Sequence, residues 1–269
     1  MTPGSLVRLI EPTEAGGDSF IGAPNGPAGK RAYGGLLAAQ ALAAACRSTA
    51  SDRVPTAVHV QYVRGGDAGV PARYQVTRVH DGRTTSSRGV LCHQGDRLIV
   101  NATALFAVPA TGPVHSHPTA IDDPDTLPRT GPIGPAPALP ADEVDIRTHD
   151  EGWGTADFVR RLWWRVTVDV PDDPVLHACL AVYVTDVYGI DPVLAVHGHS
   201  MTDRSHHAAT TDSSTWFHTD CRADRWNLLE CRSPAAARGR GIMMAGLYDT
   251  AGVRVATMVH EGQAVTRMP

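Results

Sequence analysis

The end of the chain raises the question of whether His260, in "ATMVHEG", does chemistry. The segment is typical of a closing β-strand, where a lone His is usually a surface residue or has a structural partner. Two other stretches hold reactive residue types. These are Asp186, in "VYVTDVYG", and the polar cluster 210–214, in "HHAATTDSSTWFH". The sequence therefore offers a carboxylate, an imidazole and several hydroxyls far apart along the chain.

Asp186 is the most unusual of these side chains. It follows Val182 and Tyr183 by four and three residues, which places it on the apolar face of a predicted helix over 172–189. It also lies near the helix C-terminus, where the macrodipole disfavours an anion. A carboxylate there needs partners. The alternative is that the helix ends earlier and Asp186 is solvated.

The remaining clusters carry weaker signals. The cluster 210–214 lacks the GxSxG elbow of a serine nucleophile and is typical of a loop. Gly34 and Gly35 match neither GxGxxG nor a P-loop, and we expect them to allow a close backbone approach. No HExxH or paired CxxC is present, so we expect no metal site. The histidines that could suggest one are His197, His199, His206, His207 and His218.

The elements that must position these residues follow one plan twice. An apolar helix over 34–46 precedes four strand-like runs at 56–63, 73–80, 84–93 and 97–108. In the second half, a strand at 157–170 and the helix over 172–189, capped by Asp173 and Pro174, precede further strands. Short turns between the runs predict antiparallel pairing. The second set of strands is expected at 214–221, 226–233, 240–249 and 252–263.

This repeat predicts an α+β fold with two units, 1–108 and 142–269, joined by a Pro-rich linker over 109–141. A net charge of −4 gives no reason to expect nucleic-acid binding. No signal peptide and no run of about 18 apolar residues is evident, so we expect no membrane span. The five cysteines are scattered singly, which favours a reducing cytoplasm.

At this point the residues resemble one family. "YGGLLAAQALAAA", "VHVQYVRGGD" and "DGRTTSSRGV" in the first half, with "VPDDPVLHACLAVYVTD", "ATTDSSTWFH" and "ATMVHEG" in the second, are similar to the type II (TesB-like) acyl-CoA thioesterases. The resemblance implies a double hot-dog fold, with two long helices each wrapped by an antiparallel β-sheet. It also implies hydrolysis of acyl-CoA to free acid and CoA without a metal or an organic cofactor.

The resemblance carries over three site residues. The family's Asp falls on Asp186 and its Thr on Thr210, while its Gln, in a segment usually written "QEG", falls on His260. Adjacent strand residues point to opposite faces, so Thr211 should face away from Thr210. Gln263 is three residues beyond His260 and should face away from it unless a bulge intervenes.

The departure from Gln to His leaves the mechanism open. One hypothesis is that Asp186 and His260 share the role of base, Thr210 fixes the water and a backbone N–H receives the oxyanion. A titrating His then predicts loss of activity below pH ~6–7, abolished in His260→Gln. The competing idea is a weakened or repurposed member. A hot-dog enoyl-CoA hydratase-like enzyme, using the Asp–His pair, and a non-catalytic acyl-CoA or lipid binder are the alternative functions.

Contacts with the substrate are predicted from charge and from the resemblance. CoA is anionic, so Arg64, Arg88 and either Arg238 or Arg240 are candidates to meet its phosphates, each with the alternative of being a solvated surface residue. The matched segment suggests that Tyr33, Gly34 and Gly35 border the acyl tunnel. Hot-dog sheets leave edges and flat faces, so we expect a homodimer or a larger homo-oligomer.

Overall fold

A computed structural model describes residues 5–117, 119, 123–130, 140 and 142–267. The parts of the predicted linker at 118, 120–122, 131–139 and 141 lie outside the described residues. The described linker segment 123–130 packs on the second half, where Arg147 Nη1 donates to the carbonyls of Pro124 (2.7 Å) and Leu127 (3.2 Å).

Within its described residues, the first half contains two helices and six strands. The sequence predicted the longer helix and the four strands that follow it, but not the short first helix and the first two strands. Their bounds are α1 Ser5–Ile10, β1 Thr13–Gly16, β2 Ser19–Gly22, α2 Gly34–Arg47, β3 Val54–Tyr62, β4 Ala72–Asp81, β5 Thr85–Gln94 and β6 Arg97–Ala107.

The described residues of the second half also contain two helices and six strands, but the short helix here follows the long helix and does not precede the first strand. A 3₁₀ turn over Asp186–Tyr188 separates its helices α3 and α4. The bounds are β7 Val144–Glu151, β8 Val159–Val166, α3 Pro174–Thr185, α4 Asp191–Ala195, β9 His206–Phe217, β10 Asn227–Ala237, β11 Arg240–Tyr248 and β12 Arg254–Thr266. The predicted helix over 172–189 thus ends at Thr185, and its Asp173 caps the N-terminus by accepting from the N–H of Val175.

All described strands join in one antiparallel sheet, in the order β1-β2-β4-β5-β6-β3-β9-β12-β11-β10-β8-β7. The two halves meet where β3 pairs with β9. The interpretation of 210–214 as a loop is wrong, because these residues lie inside β9, where all but Thr211 pair with β12 and 212–214 also pair with β3. Backbone pairing on both sides outweighs the preference of Thr, Asp and Ser for loops.

The two long helices pack against each other in the core. Tyr33, just before α2, donates its hydroxyl to the carbonyl of Tyr183 in α3 at 2.6 Å, and the two rings meet edge to face. Gln40, the polar residue of α2, is fully buried and donates to the carbonyls of Leu9 and Ala23. This packing fixes the start of α2 beside the end of α3.

One described segment, Pro174–Ala195, is long and apolar enough to cross a membrane by composition. Its most apolar window is 83% buried inside the fold, which is the environment of a core helix.

Candidate active site

Asp186 lies where the end of α3 meets the start of α2. Its side chain is only 11% exposed, although the helix ends one residue before it. The N–H of Gly35 donates to the carboxyl group. A β-carbon built on Gly34 would lie 2.8 Å from Asp186 Oδ2. The two glycines therefore allow the first turn of α2 to approach the carboxyl group, and this turn favours an anion.

Thr210 and His260 face the same place from two neighbouring strands. Thr210 is on β9 and His260 on β12. A β-carbon built on Gly189 would lie 2.6 Å from His260 Nδ1, 2.8 Å from Thr210 Oγ1 and 3.3 Å from Asp186 Oδ1. The three residues predicted from distant parts of the sequence therefore converge around the α-carbon of Gly189.

A β-bulge on β9 sets which hydroxyl faces this site. Glu261 pairs with Asp212 and Gly262 with Thr210, so Thr211 is the extra residue. Its hydroxyl donates to Glu261 Oε2 at 2.6 Å. Thr211 therefore faces away from the site, as predicted. Gln263 is exposed, on the opposite face of β12 from the buried His260, which agrees with the prediction from its odd offset.

Asp186 and His260 are close but do not bond. Asp186 Oδ1 lies 3.7 Å from His260 Nδ1, and both atoms are buried without a hydrogen-bond partner. Burial raises the pKa of Asp186 to about 7, opposed by the bond from the Gly35 N–H. Burial also lowers the pKa of His260 to about 4. Near neutral pH the imidazole is therefore neutral, and the carboxyl group is close to its own titration point.

Tyr62 is a neighbour of the site that the sequence did not reveal as one. Its ring atoms Cε1 and Cζ come within 3.1 and 3.3 Å of a β-carbon built on Gly34. Its hydroxyl oxygen is shielded from solvent, and burial, reinforced by the Asp186 charge, raises its pKa well above the usual value. It shares an inward strand face with Val58 and Val60, which is the signal that could have identified it.

Arg88 does not lie at a substrate surface. It is 1% exposed, and its guanidinium donates to Ser48 Oγ and to the Ser48 carbonyl, each at 3.0 Å. The expectation that Arg88 meets a substrate phosphate is therefore wrong, because these donors are already used in the interior. Ser48 directly follows α2 as Asp186 follows α3. The first half thus has no acid directly after its long helix.

The other residues predicted to contact the substrate differ in how far they are buried. Tyr33 is buried against Tyr183, so its ring stabilises the helix pair. Arg64 is exposed and donates to the Leu98 carbonyl at 3.1 Å. Arg240 binds the Glu261 carboxylate on the outer side of the site. Arg238 is exposed in the turn between β10 and β11.

The rings of His199 and His206 lie next to each other, with centroids 4.9 Å apart, and both contact Ser205 Oγ. His199 contacts Asp203, His206 contacts Thr266 and His218 contacts Thr257. Among the described residues, no group of three or more His, Cys, Asp or Glu side chains is arranged to hold a metal ion.

Comparison with known proteins matches both halves of the chain. The model of the acyl-CoA thioesterase N-terminal domain matches 22–107, and that of the C-terminal domain matches 116–264. Human acyl-coenzyme A thioesterase 8 is 29% identical, over 96% of this chain and 87% of its own length. Acyl-CoA thioesterase 2 of Haemophilus influenzae is 26% identical, over 96% of both chains.

Solved structures show the same similarity. The acyl-CoA thioesterase II TesB2 of Mycobacterium marinum superposes with a TM-score of 0.82 at 26% identity, over 98% of this chain and 99% of its own. The tesB protein of Mycobacterium avium subs paratuberculosis superposes with a TM-score of 0.84 at 27% identity, over the same shares. A hot-dog protein from Alicyclobacillus acidocaldarius has the same fold, with a TM-score of 0.78 at 20% identity and complete coverage of both chains.

Proposed function

The chain belongs to the acyl-CoA thioesterase family, and from that premise we propose that Asp186, Thr210 and His260 activate the water that hydrolyses the thioester. The reaction converts acyl-CoA and water into a free acid and CoA. Water oxygen bonds to the carbonyl carbon, the carbon–sulfur bond breaks, and the proton given up by the water ends on the CoA sulfur.

The observation that carries this proposal is the convergence of three polar side chains on Gly189. Asp186 Oδ1 and His260 Nδ1 are buried, 3.7 Å apart and without a hydrogen-bond partner. Thr210 Oγ1 faces the same point. Buried polar atoms are normally satisfied, so this geometry supports a water shared by the three side chains during the reaction.

The electrostatics divide the roles between Asp186 and His260. A neutral imidazole has one hydrogen-bond donor and one acceptor, and an amide side chain also offers both kinds of group. His260, with its pKa lowered to about 4, therefore orients the water as the family's Gln would. Asp186, with its pKa raised to about 7, accepts the proton. This assigns the base role to the carboxylate alone, in place of the shared base that the sequence suggested.

The negative charge that develops on the carbonyl oxygen needs donors. The first turn of α2 begins at Gly34 and Gly35, and no side chain caps it. A β-carbon built on Gly34 would lie 2.8 Å from Asp186 Oδ2 and 3.1 Å from Tyr62 Cε1, so this turn, the carboxyl group and the Tyr62 ring meet at one place. The Gly35 N–H already donates to the Asp186 carboxyl group. We therefore assign the oxyanion to the Tyr62 hydroxyl and to the remaining N–H groups of this turn, which act in surroundings that exclude water.

The test is release of free thiol from a panel of acyl-CoA esters. Asp186→Asn should lower kcat by about 10²–10⁴-fold, the usual contribution of a general base. Asp212→Asn is the matched control, because Asp212 lies two residues beyond Thr210 but on the outer face, opposite Glu261. Equal activity of Asp186→Asn and the wild type would contradict the proposed base.

The same panel separates the alternative functions. A hydratase-like enzyme would add water to the double bond of an enoyl-CoA without releasing thiol. A lipid-binding protein would bind a non-hydrolysable thioether analogue without turnover of the ester. The thioesterase reading requires thiol release that depends on Asp186.

The finer organisation of the molecule also stays a proposal. We infer two hot-dog units, 1–108 and 142–269, with each helix wrapped by the strands of its own half. Contacts of α2 with β3, β4, β5 and β6 support this for the first unit. The exposed Leu105, Trp216 and Met244 on the outer face of the sheet support a homodimer or larger assembly. Five free cysteines support a cytoplasmic location.

A further inference from the structure

Arg160 is a buried cation outside the site described above. It lies on β8 and is 6% exposed. Its Nε and Nη2 atoms donate to the two carboxylate oxygens of Asp150 at 2.8 and 2.6 Å, and Nη1 donates to Asp191 Oδ2 at 2.5 Å. Such a bidentate, charge-assisted arrangement defines the position of the guanidinium plane.

The same guanidinium contacts both sides of Gly189. Its carbon lies 4.2 Å from the centroid of the Tyr188 ring, and Asp191 lies two residues beyond Gly189. Asp191 is 4% exposed, and its second oxygen accepts from the N–H of Met201 at 2.7 Å. The Arg160 guanidinium, on β8, therefore holds the segment between α3 and α4 in place.

We propose that Arg160 is a positioning residue for hydrolysis, which holds the Tyr188–Asp191 segment so that Gly189 and Asp186 keep their places against His260. The proposal rests on the proposed function of that site. Arg160 reaches the reacting groups only through this segment, so it is not a catalytic residue.

The close packing at Gly189 makes the geometry of the site sensitive to small movements of the Tyr188–Asp191 segment. Gly189 already lies so close to His260 and Thr210 that a single added carbon would fall 2.6 Å from His260 Nδ1. A shift of about 1 Å in catalytic geometry can cost on the order of 10²-fold in rate. A Lys at position 160 keeps the charge but loses the planar, bidentate contact and the stacking on Tyr188.

Arg161 provides a matched control on the same strand. It is also an arginine with two carboxylate partners, and it donates to Glu230 at 3.0 Å and to Glu151 at 2.9 Å. These partners lie on the opposite face of β8, away from α4. Arg161→Lys therefore tests loss of an Arg–carboxylate pair without loosening the segment next to Gly189.

The experiment measures kcat, KM and the pH dependence of kcat/KM for Arg160→Lys, Arg161→Lys and wild type. We expect Arg160→Lys to lower kcat about tenfold with KM within about twofold. A looser segment admits water to Asp186, which moves the acid limb of the profile below pH 7 towards the ordinary carboxyl value. Arg161→Lys should match wild type in both respects. A merely structural role would change the melting temperature but leave the limb in place, and would overturn the proposal.

A second measurement does not depend on activity. Hydrogen–deuterium exchange of the peptide covering Asp186–Ala195 should be faster in Arg160→Lys, and in Asp191→Asn, than in Arg161→Lys. Unchanged exchange in both variants contradicts the positioning role, even if the wild type hydrolyses acyl-CoA. Faster exchange in a protein that hydrolyses no thioester supports the role of Arg160 in holding the Tyr188–Asp191 segment. It overturns the proposed function instead.

Discussion

Asp186 Oδ1 and His260 Nδ1 lie 3.7 Å apart, buried, and are not hydrogen-bonded to each other or to another group in the described structure. An ion pair would lower the pKa of the acid and raise that of the base. Burial acts in the opposite direction on both, giving an acid with a pKa of about 7 and an imidazole with a pKa of about 4. The pair therefore avoids charge separation, which leaves Asp186 as the group that titrates near neutral pH.

The first prediction concerns stability. The pKa of Asp186 rises from 3.8 to about 7 on folding, so its burial destabilises the protein increasingly as pH rises through this range. The free energy of unfolding of Asp186→Asn relative to wild type should therefore increase from pH 4 to pH 7, by as much as about 4 kcal/mol. Urea denaturation at each pH measures this difference.

The pKa shift of His260 on folding has the opposite sign, so it gives the opposite pH dependence of stability. Its pKa falls from 6.5 to about 4 on folding, so it stabilises the protein above pH 6.5 and loses that contribution as pH falls to 4. His260→Gln should therefore gain stability relative to wild type as pH falls through this range, by up to about 3 kcal/mol. Parallel pH dependence in both variants and wild type would contradict the buried, uncharged pair.

The second prediction concerns the pH dependence of the reaction. Because we assign the role of base to ionised Asp186, we expect kcat/KM to fall below pH ~7 in wild type. His260 is already neutral there, so the acid limb should persist in His260→Gln at a lower overall rate. Disappearance of the limb in His260→Gln would instead assign the titration to the imidazole, as the sequence alone suggested.

The elements that the sequence predicted well are those with a clear hydrophobic pattern or a helix cap. Asp173 and Pro174 marked the start of α3, and the apolar run over 34–46 marked α2. The N-terminal α1, β1 and β2 carry too few residues to show a period. The joining of both halves into one sheet depends on the pairing of β3 with β9, which no local pattern records.

The sequence named the three side chains that converge on Gly189 but did not predict their electrostatics. The positions of Asp186, Thr210 and His260 came from the resemblance. Strand alternation allowed only one of Thr210 and Thr211 to face the site, and the β-bulge that sets which one does so was not predicted. The direction of each pKa shift depends on burial, which packing of both halves decides. The prediction that Arg88 meets a substrate phosphate was wrong for the same reason, because the sequence does not distinguish a buried arginine from a surface arginine.

The third prediction concerns Thr210. Thr210→Val keeps the shape of the side chain but removes the hydroxyl that faces Gly189. Loss of one hydrogen bond made in the transition state should lower kcat about 10–100-fold, while Thr210→Ser should retain most of it. Thr211→Val is the control, since its hydroxyl bonds Glu261 outside the site. Equal losses in the two Val variants would exclude a specific role for Thr210.

The fourth prediction concerns Gly189, whose missing side chain leaves room for the side chains of Asp186, Thr210 and His260. In Gly189→Ala the new carbon would lie 2.6 Å from His260 Nδ1 and 2.8 Å from Thr210 Oγ1, distances that force the two side chains apart. We expect a loss of kcat of about 10²-fold or more with a cooperative melting transition retained. Gly89→Ala is the matched control, because a β-carbon there meets its neighbours at 3.6 and 3.9 Å.

Retained activity in Gly189→Ala would show that water and thioester do not meet beside this α-carbon. Loss in Gly189→Ala together with activity in Gly89→Ala would place the reaction there, because the two variants add the same methyl group to the same fold. Thermal melting of both proteins separates this outcome from unfolding. Binding of a thioether analogue of acyl-CoA then distinguishes a blocked acyl pocket from a displaced His260, since only the former abolishes binding.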